Sequence, residues 1–295
     1  MKDQADKLRD MARNIKQQIE SDLMKNRPRT RVVVVTSGKG GVGKTNFALN
    51  LSIAMARMGQ KVILMDADMG LANVDIILGI VPEFNLYHVV RGEKKIREVM
   101  EKGPAGIRII PGGSGVQEMA NLPEKDLQSV INDLSTIDGE ADLLIIDTGA
   151  GIANNVISFL AAADDIIVVT TPEPTALADA YGLVKTASQH EVSSQVYAVI
   201  NKCTSVDEGR VAFEKLQMVA SRFLNMDIKL MGLISEDELV EKAVRRQEAF
   251  INYPESRAAG DIYAIARYIL EINDTAQSQP SGIKGFFKAL TSLWR

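Results

Sequence analysis

The sequence predicts an α/β fold of the doubly wound type, a mostly parallel sheet flanked by helices. Three observations carry that expectation. Short β-branched or leucine-rich runs alternate with helical patterns along most of the chain. A glycine loop joins the first of those runs to the first helix, and aspartates follow directly on two others. Short continuous apolar runs suit strands buried on both faces, and right-handed crossovers lay such strands parallel.

In chain order, Val32–Thr36 is the first expected strand, rich in valine, and the helix Thr45–Arg57 follows it. Val62–Met65, Ile107–Ile110, Leu143–Ile146, Ile166–Thr170 and Val196–Ile200 repeat the strand pattern, and Lys229–Leu233 repeats it more weakly. Helices are expected at Pro123–Asp138, Asn154–Ala162, Ala176–Ser188, Glu208–Phe223, Glu236–Arg246 and Arg257–Ile272. Residues 28–273 therefore read as one domain, within what 295 residues can hold. Both ends read as separate pieces. Residues 1–27 carry an apolar stripe at helical spacing, Leu8, Met11, Ile15, Ile19 and Leu23. Residues 274–281 form a polar linker, and 282–295 an amphipathic helix.

Composition removes several classes of function. A net charge of -4 and a pI near 5.4 argue against a surface built mainly for nucleic acid. Cys203 is the only cysteine and His88 and His190 the only histidines, which disfavours a disulfide framework, a zinc site or an iron–sulfur carrier. No signal-peptide core and no membrane-spanning run is present, so a cytoplasmic location is expected.

The chemistry is written in Gly38-Lys39-Gly40-Gly41-Val42-Gly43-Lys44-Thr45, set between a strand and a helix. That is the context of a phosphate-binding loop, in which backbone N–H groups and a helix N-terminus face the phosphates. Lys44 is expected on the β- and γ-phosphates of ATP, Thr45 on Mg2+, and Asn46 beside them at the start of the helix. Lys39 is not required by the general loop and adds a second cation to an anionic site. Asp147 follows Leu143–Ile146 and precedes Thr148, Gly149, Ala150 and Gly151, at the edge where open α/β sheets bind ligands. It is expected to hold magnesium through water, with the Gly149–Gly151 backbone sensing the γ-phosphate. Asp66 and Asp68 follow the run Lys61–Met65; Asp66 is assigned to the outer magnesium shell and Asp68 to the attacking water, though spacing alone does not separate the two roles. Asn201 ends Val196–Ile200, where its amide could pair with a purine edge or simply form a turn with Lys202.

These motifs resemble the deviant phosphate-loop ATPases of the MinD/ParA class. Lys39–Thr45 matches their two-lysine loop, Asp66-Ala-Asp-Met-Gly-Leu-Ala-Asn73 the first switch of the MinD branch, and Asp147-Thr-Gly-Ala-Gly151 the second switch. Met69 stands where the DNA-partitioning branch has proline, and Thr148 and Gly149 where MinD has serine and proline. The resemblance implies an ATP-dependent homodimer in which Lys39 crosses to the partner's nucleotide, Asp68 supports hydrolysis and Asn201 recognises adenine. At the amino end, Asp3-Gln4-Ala5-Asp6-Lys7-Leu8-Arg9 resembles the DQAxxLR motif of the FlhG (YlxH/FleN) flagellar number regulators. That family implies a partner, the GTPase FlhF of the signal-recognition-particle type, engaged through Asp3, Gln4, Ala5, Leu8 and Arg9, and contacts with flagellar switch (C-ring) proteins.

At the carboxyl end, Ile283, Phe286, Phe287, Leu290, Leu293 and Trp294 share one helical face, accompanied by Lys284, Lys288 and Arg295 and no acidic residue. This is the composition of an interfacial helix drawn to anionic lipid, and equally that of a terminal helix closing a groove on its own domain. Two such helices on a dimer would bind a membrane far better than one. The expected function is a regulatory ATPase that is reversibly peripheral on the inner face of the bacterial membrane. MinD-like division-site placement and a nucleotide-dependent scaffold without turnover are the alternatives.

Overall fold

β-branched residues build the centre of the sheet. In the computed structural model, which describes residues 29–68, 73–190, 192, 194–275 and 280–294, the first strand is β1 (Arg31–Ser37), followed by α1 (Lys44–Arg57) and β2 (Val62–Ala67). Four short helices come next, with two strands among them: α2 (Val74–Leu78), α3 (Leu86–Val90), α4 (Ile96–Val99), β3 (Glu101–Lys102), β4 (Arg108–Ile110) and α5 (Gly115–Ala120). The central part continues with α6 (Glu124–Leu134), β5 (Leu143–Ala150), α7 (Asn154–Ala162), β6 (Asp165–Thr170), α8 (Pro174–Gln189) and β7 (Gln195–Cys203). It closes with α9 (Val206–Leu224), β8 (Ile228–Ser235), α10 (Glu238–Arg245), α11 (Arg257–Thr275) and α12 (Gly282–Ser292).

The strands form one sheet in the order β3-β4-β2-β5-β1-β6-β7-β8. Only β3 runs antiparallel, against β4; the other pairings are parallel. After β1 the chain builds β2 and β4 on one side, returns through β5, and then continues with β6 on the other side. The strand order thus reverses beside β1, which puts the ligand-binding crevice at its carboxyl end. Side chains alternate across the sheet with period two. Val32 and Val34 point into a core covered by α6, α7 and α12, while Val33 and Val35 point into one covered by α1 and α11.

Several boundaries move outward from those the sequence pattern gives. β5 runs on to Ala150, so Asp147 lies within the strand rather than after it; Asp66 likewise lies within β2. Polar residues end an apolar run without ending the ladder, because backbone pairing continues: Asp66 is opposite Asp147 and Ala67 opposite Thr148. α11 reaches Thr275, two residues into the segment read as a linker. The helix expected through Asp138 instead tightens into a 3-10 turn at Ser135–Ile137. The short helices α2 to α5 and strand β3 were not anticipated, since they are too brief to display a period.

The carboxyl-terminal helix is packed into the domain. Ile283, Phe286, Phe287 and Leu290 are all buried, Trp294 is partly buried, and Leu293 is exposed. The Phe286 ring lies 5.9 Å from Phe159 of α7 and 5.1 Å, edge-on, from Phe287. Burying each of these apolar side chains is worth about 1.5–3 kcal/mol. Of the two environments the composition allows, this structure shows the groove; the apolar face assigned to lipid is covered by the chain itself. Two carboxylates fix where α12 begins. Asp164 accepts the Ser281 N–H (2.8 Å) on one oxygen and the Val32 N–H (2.8 Å) on the other. Asp138 accepts Thr30 N–H (3.2 Å) and Lys284 N–H (3.5 Å) in the same way. No helix among the described residues is long and apolar enough to cross a membrane.

Candidate functional site

The loop between β1 and α1 is shaped by two close approaches. Gly43 sits at φ +91°, where a Cβ would also lie 2.3 Å from the Asn201 amide nitrogen. A Cβ on Gly38 would fall 2.2 Å from the backbone of Asp179 in α8. Glycine is the residue that permits both. The loop lines a cleft of about 690 Å³, together with Thr45, Asn46, Asp68, Ala150, Asn201 and Lys202. Its far wall mixes apolar side chains, Ile76, Ile77, Ile234, Val240, Val244 and Phe250, with the charged Glu236, Asp237, Glu241 and Arg245.

Lys44 is buried and its Nζ donates to Asp147 Oδ1 at 2.6 Å. The expected phosphate cation and the expected magnesium carboxylate therefore hold each other. Asp147 is fully buried, and its Oδ2 has no hydrogen-bond partner. Burial pushes its carboxyl above the ordinary range, opposed by the Lys44 ammonium and by a hydrogen bond from the Thr45 side chain. Asp66 lies on the neighbouring strand directly opposite Asp147. Burial first, and the adjacent Asp147 charge second, push it up to about 6. Backbone N–H groups of Asp68 (3.1 Å), Asn73 (2.9 Å) and Val74 (3.2 Å) oppose that shift. Asp66 thereby ties both ends of the first switch to β2.

Asp68 lies at the cleft with Asn73 Nδ2 3.5 Å from its Oδ2, and a Cβ on Gly149 would lie 3.5 Å from its Oδ1. The two switch segments thus meet at Asp68. Gly151, at φ +95°, donates to the Ser37 carbonyl (2.8 Å), joining the second switch to the end of β1. The Thr148 hydroxyl bonds the carbonyls of Val35 (3.2 Å) and Gly149 (3.0 Å).

These residues fit a magnesium nucleotide. A buried carboxylate oxygen without a partner, beside a hydroxyl and a second carboxylate of raised pKa, is the donor set a cation would relieve. No cluster of three acidic, histidine or cysteine ligands occurs among the described residues. Magnesium takes one or two protein oxygens and completes its shell with water and phosphate.

Comparison with known proteins agrees with this geometry. A family profile described as an AAA domain matches residues 30–195. The antiactivator FleN of Pseudomonas aeruginosa is 41% identical over 81% of this chain and 86% of its own length. The flagellum site-determining protein YlxH of Helicobacter pylori is 32% identical over 98% of both chains. The chain belongs to the FlhG (YlxH/FleN) family of MinD/ParA-type ATPases. Among solved structures, MinD in the MinC:MinD cell division complex of Aquifex aeolicus superposes with a TM-score of 0.67, at 25% identity, over 82% of this chain and 96% of that one. MinD of Pyrococcus horikoshii, solved with Mg-ADP, shares the fold at a TM-score of 0.66 and 23% identity, over 84% of this chain and all of that one.

Two of the FlhG-type residues are engaged differently from what their motifs suggest. Lys39 Nζ is bound within its own chain, to Glu173 Oε2 (2.8 Å) and Thr175 Oγ1 (3.1 Å) at the start of α8. The Asn201 amide donates to Val42 O (2.8 Å) and accepts from Lys202 N (2.9 Å), buttressing the loop. A carboxamide retains a second donor and a second lone pair after those bonds. The sequence-based reading omitted Glu173, which follows β6 at the same sheet edge as Asp147 and could have been found by the same rule. It named Lys202 only as a turn neighbour of Asn201, whereas its Nζ donates to Gly41 O (3.2 Å), and it omitted the wall from α10. Asp3, Gln4, Ala5, Leu8 and Arg9 lie outside the described residues.

Proposed function

We propose that this chain is an ATP-hydrolysing switch that dimerises with ATP, attaches reversibly to the membrane, and regulates flagellar placement and number together with an FlhF-like GTPase. The observation that carries the reading is the buried pair of Lys44 and Asp147 beneath a glycine loop, with both switches converging on Asp68. Similarity to FleN and YlxH supports the flagellar role, and similarity to MinD supports the ATP cycle.

In this reading Lys44 exchanges Asp147 for the β- and γ-phosphates, and the loop N–H groups take their oxygens. Thr45, Asp66 and Asp147 would hold magnesium, which would supply charge neutralisation for the phosphates. Asp68 orients the water whose oxygen bonds the γ-phosphorus as the bridge to ADP breaks. Lys39 leaves Glu173 and crosses to the nucleotide of a second copy. Asn201 and the α10 wall hold adenine. α12 leaves its groove and lays Ile283, Phe286, Phe287, Leu290, Leu293 and Trp294 on anionic lipid. Contacts with C-ring proteins belong to the same proposal.

The test combines two measurements on the purified chain. GTP hydrolysis by FlhF should rise in its presence and fall back when residues 1–27 are removed. In parallel, ATP but not ADP should double its mass, with phosphate released. No stimulation by either form would favour division-site placement, and a dimer that releases no phosphate would favour a scaffold.

A further inference from the structure

Two elements that line the cleft, α2 and α10, are joined by a side chain that follows α10. α2, just beyond the first switch, contributes Ile76 and Ile77 to the wall; α10 contributes Val240 and Val244. Gln247 follows α10 and its Nε2 donates to the Ile76 carbonyl at 3.0 Å. The backbone at Gln247 makes the choice of residue informative. α10 closes with Gln247 N bonded to Val244 O and Glu248 N to Ala243 O, both at 3.0 Å, and Gln247 itself has φ +56°. That is the left-handed position of a helix-terminating motif, where glycine or asparagine is the usual occupant. Here the chain accepts a long side chain in an unfavourable conformation, and that side chain crosses to α2.

α2 is shaped to receive it. Gly79 ends that helix at φ +62°, and a Cβ there would lie 3.1 Å from Gln247 Oε1 and 3.3 Å from its Cβ and Cδ. The glutamine therefore lies flat over a glycine as well as bonding a carbonyl. From Ile76 the path continues without a break to the switch. Ile77 N donates to Asn73 O (3.1 Å), and the Asn73 and Val74 N–H groups are held by Asp66.

We propose that Gln247 is a positioning residue that clasps α10 to α2, so that nucleotide retention and the setting of the first switch depend on one amide. The inference rests on the nucleotide reading of the cleft, and its test separates the two. Gln247→Gly restores the residue favoured by the backbone, so thermal stability should hold or rise. Gln247→Glu keeps the length and the stacking on Gly79 but offers no donor. In both variants, release of a fluorescent ADP followed by stopped flow should be about three- to tenfold faster, the worth of one hydrogen bond. Amide exchange of residues 77–80 should quicken by a similar factor without nucleotide. A merely structural glutamine would move release only in step with melting temperature. Release and exchange at wild-type rates in both variants would overturn the clasp. Failure of the unmutated chain to bind ADP would instead overturn the nucleotide reading, while the exchange measurement would still decide whether Gln247 clasps α2.

Discussion

The carboxyl and amino ends of the same strands are built on opposite principles. At the carboxyl end of β1, β2 and β5, the chain buries Lys44, Asp66 and Asp147 together and leaves one Asp147 oxygen without a partner. At the amino end of β1 and β6, the carboxylates of Asp138 and Asp164 each accept two backbone N–H groups, and the apolar face beside them is filled by α12. The first arrangement keeps charge buried with a polar atom left unpartnered and carboxyls pushed upward, the pattern that clusters at functional sites. The second satisfies its polar groups and gains from ordinary packing. Buried charge alone does not mark chemistry, since Arg31 and Asp165 also pair at the amino end; the unpartnered Asp147 oxygen does, whereas a buried amphipathic helix points only to a covered surface.

The largest effect that could break this contrast belongs to Lys44. In Lys44→Ala the buried Asp147 loses its counter-charge, a change that costs about 3–5 kcal/mol when a buried pair is broken on one side. Asp147 would relieve part of this by taking a proton. Nucleotide binding should be lost in equilibrium titration, because in the proposed function the same ammonium addresses the terminal phosphates. Binding at wild-type affinity would show the pair to be structural and would bring the two ends of the sheet under one description.

Replacing Phe286 and Phe287 with aspartate attacks the other end. Truncating a buried phenylalanine costs about 3–5 kcal/mol, and a carboxylate in its place adds a desolvation penalty. That cost exceeds what Ile283, Leu290 and the two carboxylates at the start of α12 return, so the helix should leave the groove. Amide exchange across residues 283–291 should become fast, and flotation on anionic liposomes should collapse as well, since the same rings would be the lipid anchors. ATP-dependent dimerisation should survive. A variant that still floats as well as the natural chain would confine the helix to packing.

How much of this was legible in the sequence follows the same division. Gly43, Lys44, Asp66, Asp68 and Asp147 could be placed at one sheet edge because phosphate chemistry demands those residue types in that order. Their pairing could not: nothing in the spacing says that Lys44 rests on Asp147 or Lys39 on Glu173, because both bonds join residues more than 100 positions apart. For α12 the stripe from Ile283 to Leu290 specified an apolar face but left its cover open, since lipid and a protein groove ask for the same periodicity. α2 to α5 were illegible for a simpler reason. Helices of four to six residues span too few turns to reveal a face.

Acidity gives a smaller but directional effect. Asp66 is raised from 3.8 to about 6, so the folded chain binds the proton more tightly than the unfolded one does. The folded state gains from that proton below the unfolded value, and the gain is lost as pH rises through the folded one. Stability of the nucleotide-free chain should therefore fall between about pH 4 and 6 on account of this group, by about 3 kcal/mol for a shift of this size. Other carboxylates, such as Glu140 beside Arg97 and Arg108, are lowered and act in the opposite sense. The informative quantity is thus the difference between the natural chain and Asp66→Asn in how the urea-unfolding free energy changes with pH. An identical pH dependence in the two would remove Asp66 from the set of buried charges that distinguish the carboxyl end.

The smallest effect isolates a single hydrogen bond at the amino end. Ser281 precedes α12 with φ −64°, a value proline adopts without strain, and proline is well tolerated at the start of a helix. Ser281→Pro should therefore leave the helix intact and remove chiefly the N–H that reaches Asp164 at 2.8 Å. A bond to a charged acceptor contributes about 1.5–3 kcal/mol, and the lower entropy of the unfolded proline chain returns about 0.4–1 kcal/mol. A net loss of about 1 kcal/mol remains, which corresponds to a fivefold shift of an opening equilibrium. Amide exchange of residues 286–291 should quicken by about that factor, with nucleotide affinity unchanged, because the cleft lies at the other end of the strands. Exchange at the wild-type rate would mean that the apolar face and Asp138 hold α12 without Asp164. Asp164 would then belong to β1, through Val32, and not to the docking of the helix.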